Sequence, residues 1–299
     1  MTRTIGIFAC AAALLTGCYE SYFAVPDGDW DVFHRADDAS GDTRDRGADG
    51  DADVEADATA HDDAEVGSDA PCEVPENRAL RFRGNQYVEV PDSPGLAFTD
   101  LTLEAWVRFA FLPDCGHVVA KPLGSDTSDS FVLWYQEGDL CAGVVPTTPA
   151  DSLGWAWAPG AEEWHHLAFT YDSSSQAQTL FIDGIRVDSA RAPRPLVYDE
   201  HPLLIGADMN WGTLGWFLDG DIDELRVWTS VRPIEELGHD MRSCEPGPVA
   251  GLGAYYSFDE GTGQVANDDS GNGNDGRLGS TPDVDENDPT WIVSDVPFR

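Results

Sequence analysis

The chain has 299 residues, with 55 Asp and Glu against 17 Lys and Arg and a formal net charge of −38. So negative a surface repels phosphate backbones and anionic headgroups, which excludes nucleic acid as a partner and charge-driven docking on a bilayer.

Residues 1–18 carry one early cation, Arg3, and then an apolar run over residues 5–15. That run is too short to cross a bilayer and is followed by small residues, the pattern of a secretory signal. It ends in Leu15-Thr16-Gly17-Cys18, which resembles the lipobox of bacterial lipoproteins. The resemblance implies that Cys18 becomes the acylated first residue of the mature protein. It also implies an outer-membrane or cell-surface location, because Tyr19 is not the aspartate that retains such proteins at the inner membrane. Membrane attachment would then rest on the acyl chain alone.

Residues 19–71 read as a linker. Positions 27–69 are dominated by Asp, Ala and Gly, with almost no aliphatics beyond Val, so the segment cannot bury enough apolar area to offset the entropy of ordering it. Its carboxylates repel one another and extend it. Their spacing is irregular and lacks the Gly-Asp period of repetitive calcium loops, so the segment reads as a tether.

Residues 72–299 read as one β-domain. Leu80 and Phe82 alternate with Arg81 and Arg83, and Leu101, Leu103, Ala105, Val107 and Phe109 alternate with Thr102, Glu104, Trp106 and Arg108. This is the period-two pattern of strands. Residues 164–171 alternate too, but are dense in aromatic and β-branched residues, as in a strand covered on both faces. Leu180, Phe181, Ile182 and Ile185, Arg186, Val187 flank Asp183-Gly184, a dipeptide suited to a two-residue type I′ turn. That turn predicts Ile182 opposite Ile185 and Leu180 opposite Val187, with four aliphatics on the core side. Helical spacing is confined to 233–241, where Pro233 suits the first turn and Ile234, Leu237 and Met241 share a face.

The run WHHLAFTYD at 164–172, followed by LFIDG at 180–184, resembles the laminin G-like, or concanavalin A-like, jelly-roll family. Segments 79–91, 101–108, 118–121, 202–206, 220–228 and 254–276 resemble that family's successive segments in its order. The resemblance implies an all-β, two-sheet antiparallel sandwich with one short helix. Such a scaffold hosts lectins, adhesion modules and glycan hydrolases alike.

Beyond Cys10 and Cys18, the exported domain holds Cys72, Cys115, Cys141 and Cys244, an even count that suggests disulfides. Three pairings are open. Successive strands of one meander favour Cys115 with Cys141, provided that the strand at 131–135 does not lie between them, and Cys72 with Cys244 would bracket the strand set.

Catalytic signatures are scarce: there is no Gly-x-Ser-x-Gly, no His-Glu-x-x-His and no P-loop. Asp219, Asp221 and Asp223 share a strand face if no bulge intervenes, but the spacing is not that of a glucanase carboxylate pair. His165 and His166 are adjacent on a strand and point to opposite faces, so they do not read as a metal pair. A calcium ion is the one cofactor expected, because Asp268, Asp269, Asn272 and Asp275 stand among glycines in an oxygen-rich loop; the competing reading is that these residues only form turns. Trp106, Trp134, Trp164 and Trp228 sit in strand patterns and read as core. Trp211 stands in a polar loop with Asp208 and Asn210; these three are the expected ligand-binding residues, with Trp211 as the stacking plate. The sequence thus predicts a lipid-anchored surface protein, not an enzyme, that presents a sandwich to a glycan or protein ligand. A glycan hydrolase on the same fold and a purely structural envelope protein are the alternatives.

Overall fold

The computed structural model describes residues 76–110, 114–124, 127–146, 149–243 and 249–297. The signal and linker expected at 1–18 and 19–71, and with them Cys18, Cys72 and Cys244, lie outside the described residues.

In chain order the strands are β1 (Arg78–Arg83), β2 (Val88–Val90), β3 (Leu101–Phe109), β4 (Cys115–Leu123), β5 (Ser128–Gln136), β6 (Asp139–Val144), β7 (Leu153–Ala156), β8 (Trp164–Asp172), β9 (Ala177–Ile182), β10 (Ile185–Arg191), β11 (Leu203–Ile205), β12 (Asp208–Asn210), β13 (Thr213–Gly215), β14 (Asp219–Trp228), β15 (Leu252–Tyr256), β16 (Val265–Ala266), β17 (Gly276–Leu278) and β18 (Thr290–Val293). One α-helix, α1 (Ile234–Asp240), is found among the described residues. The first sheet runs β10-β9-β8-β3-β14-β1-β18, with β15 also paired to β14, and the second runs β16-β17-β2-β11-β4-β5-β6-β7. Every strand pair is antiparallel, so the expected jelly-roll sandwich is what forms.

The core lies between the sheets. Leu80, Phe82, Leu103, Val107, Leu167 and Phe169 of the first sheet meet Val88, Val119, Phe131, Leu133, Leu140 and Leu203 of the second in one buried cluster. These are the apolar halves of the alternations, and burying each such side chain contributes about 1.5–3 kcal/mol.

Most of the other halves on β3, β8 and β14 are buried as well, which alternation alone did not foretell. On the outer face of the first sheet, Arg81, Asp221, Arg108 and Trp164 oppose one another across β1, β14, β3 and β8. The next row is Asp223, Trp106 and His166, and beyond a bulge in β14 come Arg226 and Glu104. Later segments cover these rows. Leu237 of α1 packs on Ala168 and Phe181, the Trp106 indole donates to the Met241 carbonyl at 3.1 Å, and the Arg226 guanidinium donates to the Ser243 carbonyl at 2.5 Å. Buried charges of this kind persist only when paired. Glu104 accordingly faces His166 at 3.2 Å and accepts from the Trp228 indole at 2.6 Å.

Three local expectations are corrected. Asp183-Gly184 does make the two-residue turn, with both φ positive, and Ile182 does oppose Ile185. A bulge between Arg186 and Asp188 then puts Asp188, not Val187, opposite Leu180. The edge position leaves Ile185 67% exposed rather than in the core. Of the apolar face expected for α1, Leu237 is buried but Ile234 is 45% exposed. Finally, Cys115 opposes Gln136 and Cys141 opposes Trp134 across β5. The two cysteines are therefore two strand spacings across and two residues along from each other, roughly 12 Å, beyond the about 4.4–6.8 Å that a bridge tolerates. Cys141 is disulfide-bonded, but this topology does not pair it with Cys115.

Candidate functional site

The outer face of the second sheet carries the candidate site. On β4 and β5, His117 opposes Trp134, and their rings stack with centroids 5.9 Å apart and planes 9° apart. Ala120, Val132 and Cys141 extend this outward patch. At the end of β11 the chain leaves the sheet at Gly206, where φ is +79° and any Cβ would stand 2.5 Å from the Phe82 ring. Only glycine fits that corner. The amide of Gly206 still donates to Val118 and its carbonyl accepts from Leu218, both at 2.9 Å. The segment between them is thereby pinched off as the hairpin β12–β13.

Trp211 is at the tip of that hairpin. The pairs Asp208–Gly215, Met209–Leu214 and Asn210–Thr213 leave Trp211-Gly212 as a two-residue loop, with φ of +50° and +71°. This is type I′ geometry, whose first position favours Asn, Asp or Gly. A tryptophan there costs roughly 1 kcal/mol in backbone strain. The residue is 56% exposed.

Asp208 and Asn210 do not share that exposure; both are buried. The Asp208 carboxylate accepts from the Met209 amide at 2.6 Å and the Asn210 side-chain amide at 3.0 Å, and lies 3.6 Å from Nε2 of His117. The two residues thus frame the hairpin and present no group to a ligand, because their polar atoms are turned into it. Burial holds the His117 imidazole below its ordinary pKa, with the Asp208 carboxylate opposing. Trp216 then crosses His117 edge-on at 6.3 Å, while Met209, Leu214 and Phe217 pack on Tyr87, Leu204 and Ala207. Sequence reading missed His117, Trp134 and Trp216 as a unit, since nothing local shows that a later hairpin folds back over β4.

Beside the hairpin base is an open depression of about 890 Å³, walled by Glu89, Asp92, Asp199, Glu200, His201 and Met209. Three of its carboxylates are held in place by basic side chains. Lys121, wholly buried, reaches Asp92 at 2.6 Å and also donates to the His201 carbonyl, Arg277 reaches Glu89 at 2.8 Å, and His201 meets Asp199 at 2.8 Å. Burial pushes the Asp199 carboxyl up, but hydrogen bonds from the amides of Gly124 and His201 and from the His201 ring hold it below its usual range. Fixed carboxylates of this sort accept hydrogen bonds from hydroxyl groups. Met209 is shared with the hairpin, so Trp211, two residues on, stands about 7 Å further along the strand.

The loop at 268–275 uses its oxygens differently from what a cation requires. Asp268 accepts from the amides of Tyr255, Ser270 and Asn274 at 3.0, 3.1 and 2.9 Å. Asp275 accepts from the Asp268 amide at 2.8 Å, Asp269 accepts from the Ser257 hydroxyl at 2.6 Å, and Asn272 donates to the carbonyls of Leu252 and Gly253. Among the described residues, no three His, Cys, Asp or Glu side chains converge as ligands. The Asp268 carboxylate is thus taken up by N–H and O–H donors of the loop and of β15, as in a hydrogen-bonded turn.

The acidic motif on β14 is likewise occupied. The bulge follows Asp223, so Asp219, Asp221 and Asp223 do share a face. Both oxygens of Asp221 are taken by Arg81 and Arg108, and Asp223 and Glu224 are buried.

Two antiparallel sheets with a decorated outer face define a jelly roll of the lectin type. Residues 82–238 match the family described as the concanavalin A-like lectin/glucanases superfamily, and the chain belongs to that family. Among solved structures it is similar to a Bacteroides ovatus ATCC 8483 protein described as carbohydrate-binding, at 20% identity and a TM-score of 0.59, over 75% of this chain and 62% of that one. It is also similar to the CBM40 of the Ruminococcus gnavus IT-sialidase bound to α2,3-sialyllactose, at 14% identity and a TM-score of 0.44, over 54% of this chain and 96% of that one. Domains LG4-5 of the mouse laminin alpha1 chain match at 17% identity and a TM-score of 0.40, over 56% and 45%. At these identities the likeness is one of fold. No curated protein matches the chain.

Proposed function

We propose that this is a lipid-anchored, exported protein whose acidic tether presents the sandwich as a non-enzymatic, glycan-binding domain. The anchor is Cys18 and the binding surface is the outer face of the second sheet, with Trp211 as the stacking residue and the Asp199–Glu200 depression as the hydroxyl-binding part. The observation that carries this reading is the exposed tryptophan at a turn position that strains it. The backbone conformation favours asparagine there, and the tryptophan is more than half exposed, as an aromatic stacking plate requires. The carboxylates of β14 support a non-enzymatic reading, because those of Asp223 and Glu224 are out of reach of a polysaccharide and Asp221 is bound by two guanidinium groups.

Trp211→Asn tests it. The substitution creates the preferred Asn-Gly turn, so the melting temperature should be unchanged or higher, by up to about 1 kcal/mol of stability. Retention on a neutral-glycan array should fall by tenfold or more, as loss of a stacking face implies. A hit that survives Trp211→Asn at full strength moves the site elsewhere. For the anchor, Cys18→Ala should shift the protein from the detergent-extracted membrane fraction to the soluble one, and unchanged partitioning refutes the acyl attachment.

A further inference from the structure

We infer that the outer face of the first sheet holds a second site, a carboxylate-binding site built from Arg108 and Trp164 and filled in cis by Asp295. Its ligand class is the carboxylate of an acidic sugar.

The site begins as a register effect. Arg81, Asp221, Arg108 and Trp164 fall in one cross-strand row, and in such a row neighbouring side chains touch. The Arg108 guanidinium lies over the Trp164 ring, 4.6 Å from its centroid. It gives Nε to Asp221 at 2.8 Å, and Arg81 binds the same carboxylate at 2.7 and 2.9 Å. Two guanidinium groups therefore share one carboxylate within the row. That leaves Nη1 of Arg108 for a second carboxylate.

Asp295 supplies that carboxylate. Its Oδ1 accepts from Arg108 Nη1 at 2.7 Å and from the Trp164 indole at 2.8 Å. The rest of the carboxylate faces water, for the side chain is 76% exposed while that of Arg108 is 11% exposed. A buried cation and a fixed N–H aimed at one exposed oxygen make a preorganised anion receptor. The segment bearing Asp295 is held by other bonds. Ser294 donates its hydroxyl to Asp223 at 2.6 Å and its amide to the Asn77 carbonyl at 2.9 Å, and β18 pairs with β1. The backbone thus stays in place when the Asp295 carboxylate is removed. An external carboxylate must displace a tethered one, so the intact protein binds weakly and loss of Asp295 unmasks the site.

The choice of a sugar over a peptide rests on the carbohydrate-binding reading above, and the test keeps the two separable. Full-length protein and Asp295→Ala are titrated with D-glucuronate, glucose and N-acetylglutamate, while the Trp164 indole N–H is followed by NMR and assigned through Trp164→Phe. The expected result is saturation of Asp295→Ala by glucuronate at one-tenth or less of the concentration the parent requires. Glucose should leave the signal unmoved, and Arg108→Lys in the Asp295→Ala background should abolish the effect. Absence of a glucuronate-dependent shift in Asp295→Ala, or its persistence after Arg108→Lys, overturns the site. A response to N-acetylglutamate alone overturns the sugar assignment while leaving the Trp211 surface untouched. Asp295→Asn, which keeps an acceptor for Trp164, checks folding by circular dichroism. If neither variant folds, Asp295 is a structural ion-pair partner and the proposal is wrong.

Discussion

Asp268 shows how one residue can carry the composition of a metal loop and do the work of a cap. Its carboxylate takes three backbone amides and the Ser270 hydroxyl, tying the 268–275 loop to β15. Removing it leaves these donors without an acceptor, each costing about 1–3 kcal/mol where water cannot replace it. Asp268→Ala should therefore lower stability by at least about 3 kcal/mol in a urea melt. Excess chelator should leave the parent's melting temperature unmoved. A chelator-induced drop would mean that an ion does bind and that these bonds rearrange around it. The sequence announces the oxygen-rich loop correctly. What it does not carry is the direction of the oxygens, which is set by amides of β15 and Asn274 that long-range pairing brings to it.

Elements divide in the same way. The turn at Asp183-Gly184 is legible because the dipeptide states its backbone conformation, and so are β3 and β8, whose alternation is long. The hairpin β12–β13 is not, because a tryptophan at positive φ carries no local signal and the residues around it read as polar loop. Nor is the covering of the first sheet's outer face. Alternation predicts which side chains share a face, but not that α1 and residues 293–297 will return to bury Glu104, Asp223 and Arg226. Gly206 tests the hairpin as an element. A methyl there meets both a positive φ and the Phe82 ring at 2.5 Å, so Gly206→Ala should cost roughly 2–4 kcal/mol, as overpacking and strain combine. Gly212→Ala has the same sign of φ but open space around it and should cost only about 1 kcal/mol. Equal losses in the two would show that φ alone governs the corner.

At the scale of the whole domain, the covered charges set how stability depends on pH. Burial, and the charge of Glu224 beside it, push Asp223 well above the ordinary carboxyl range. Burial pushes Glu224 up to about 7, although Arg226 and the Tyr255 hydroxyl oppose the shift. Burial likewise raises Asp240, Asp259 and Glu260. A carboxyl with a raised native pKa binds its proton more tightly in the folded state than in the unfolded one, so its contribution falls as pH climbs from its unfolded value toward its native value. For Glu224 that window runs from about 4.5 to about 7. Two kinds of group work the other way. Glu104, which burial would raise, is held low by His166, Arg226 and Trp228, but carboxyls of this sort matter only below their ordinary values. His117, held low by burial, favours the folded state as pH rises toward 6.5, yet it is one group against five. The domain should therefore melt higher at pH 5 than at pH 8. Asp223→Asn, which keeps the shape but removes the titration, should raise the melting temperature at pH 8 and flatten the profile between the two. A parent that is more stable at pH 8, or an Asp223→Asn profile as steep as the parent's, would mean that water enters beneath the residue 293–297 segment and that these carboxylates are ionised in the folded state.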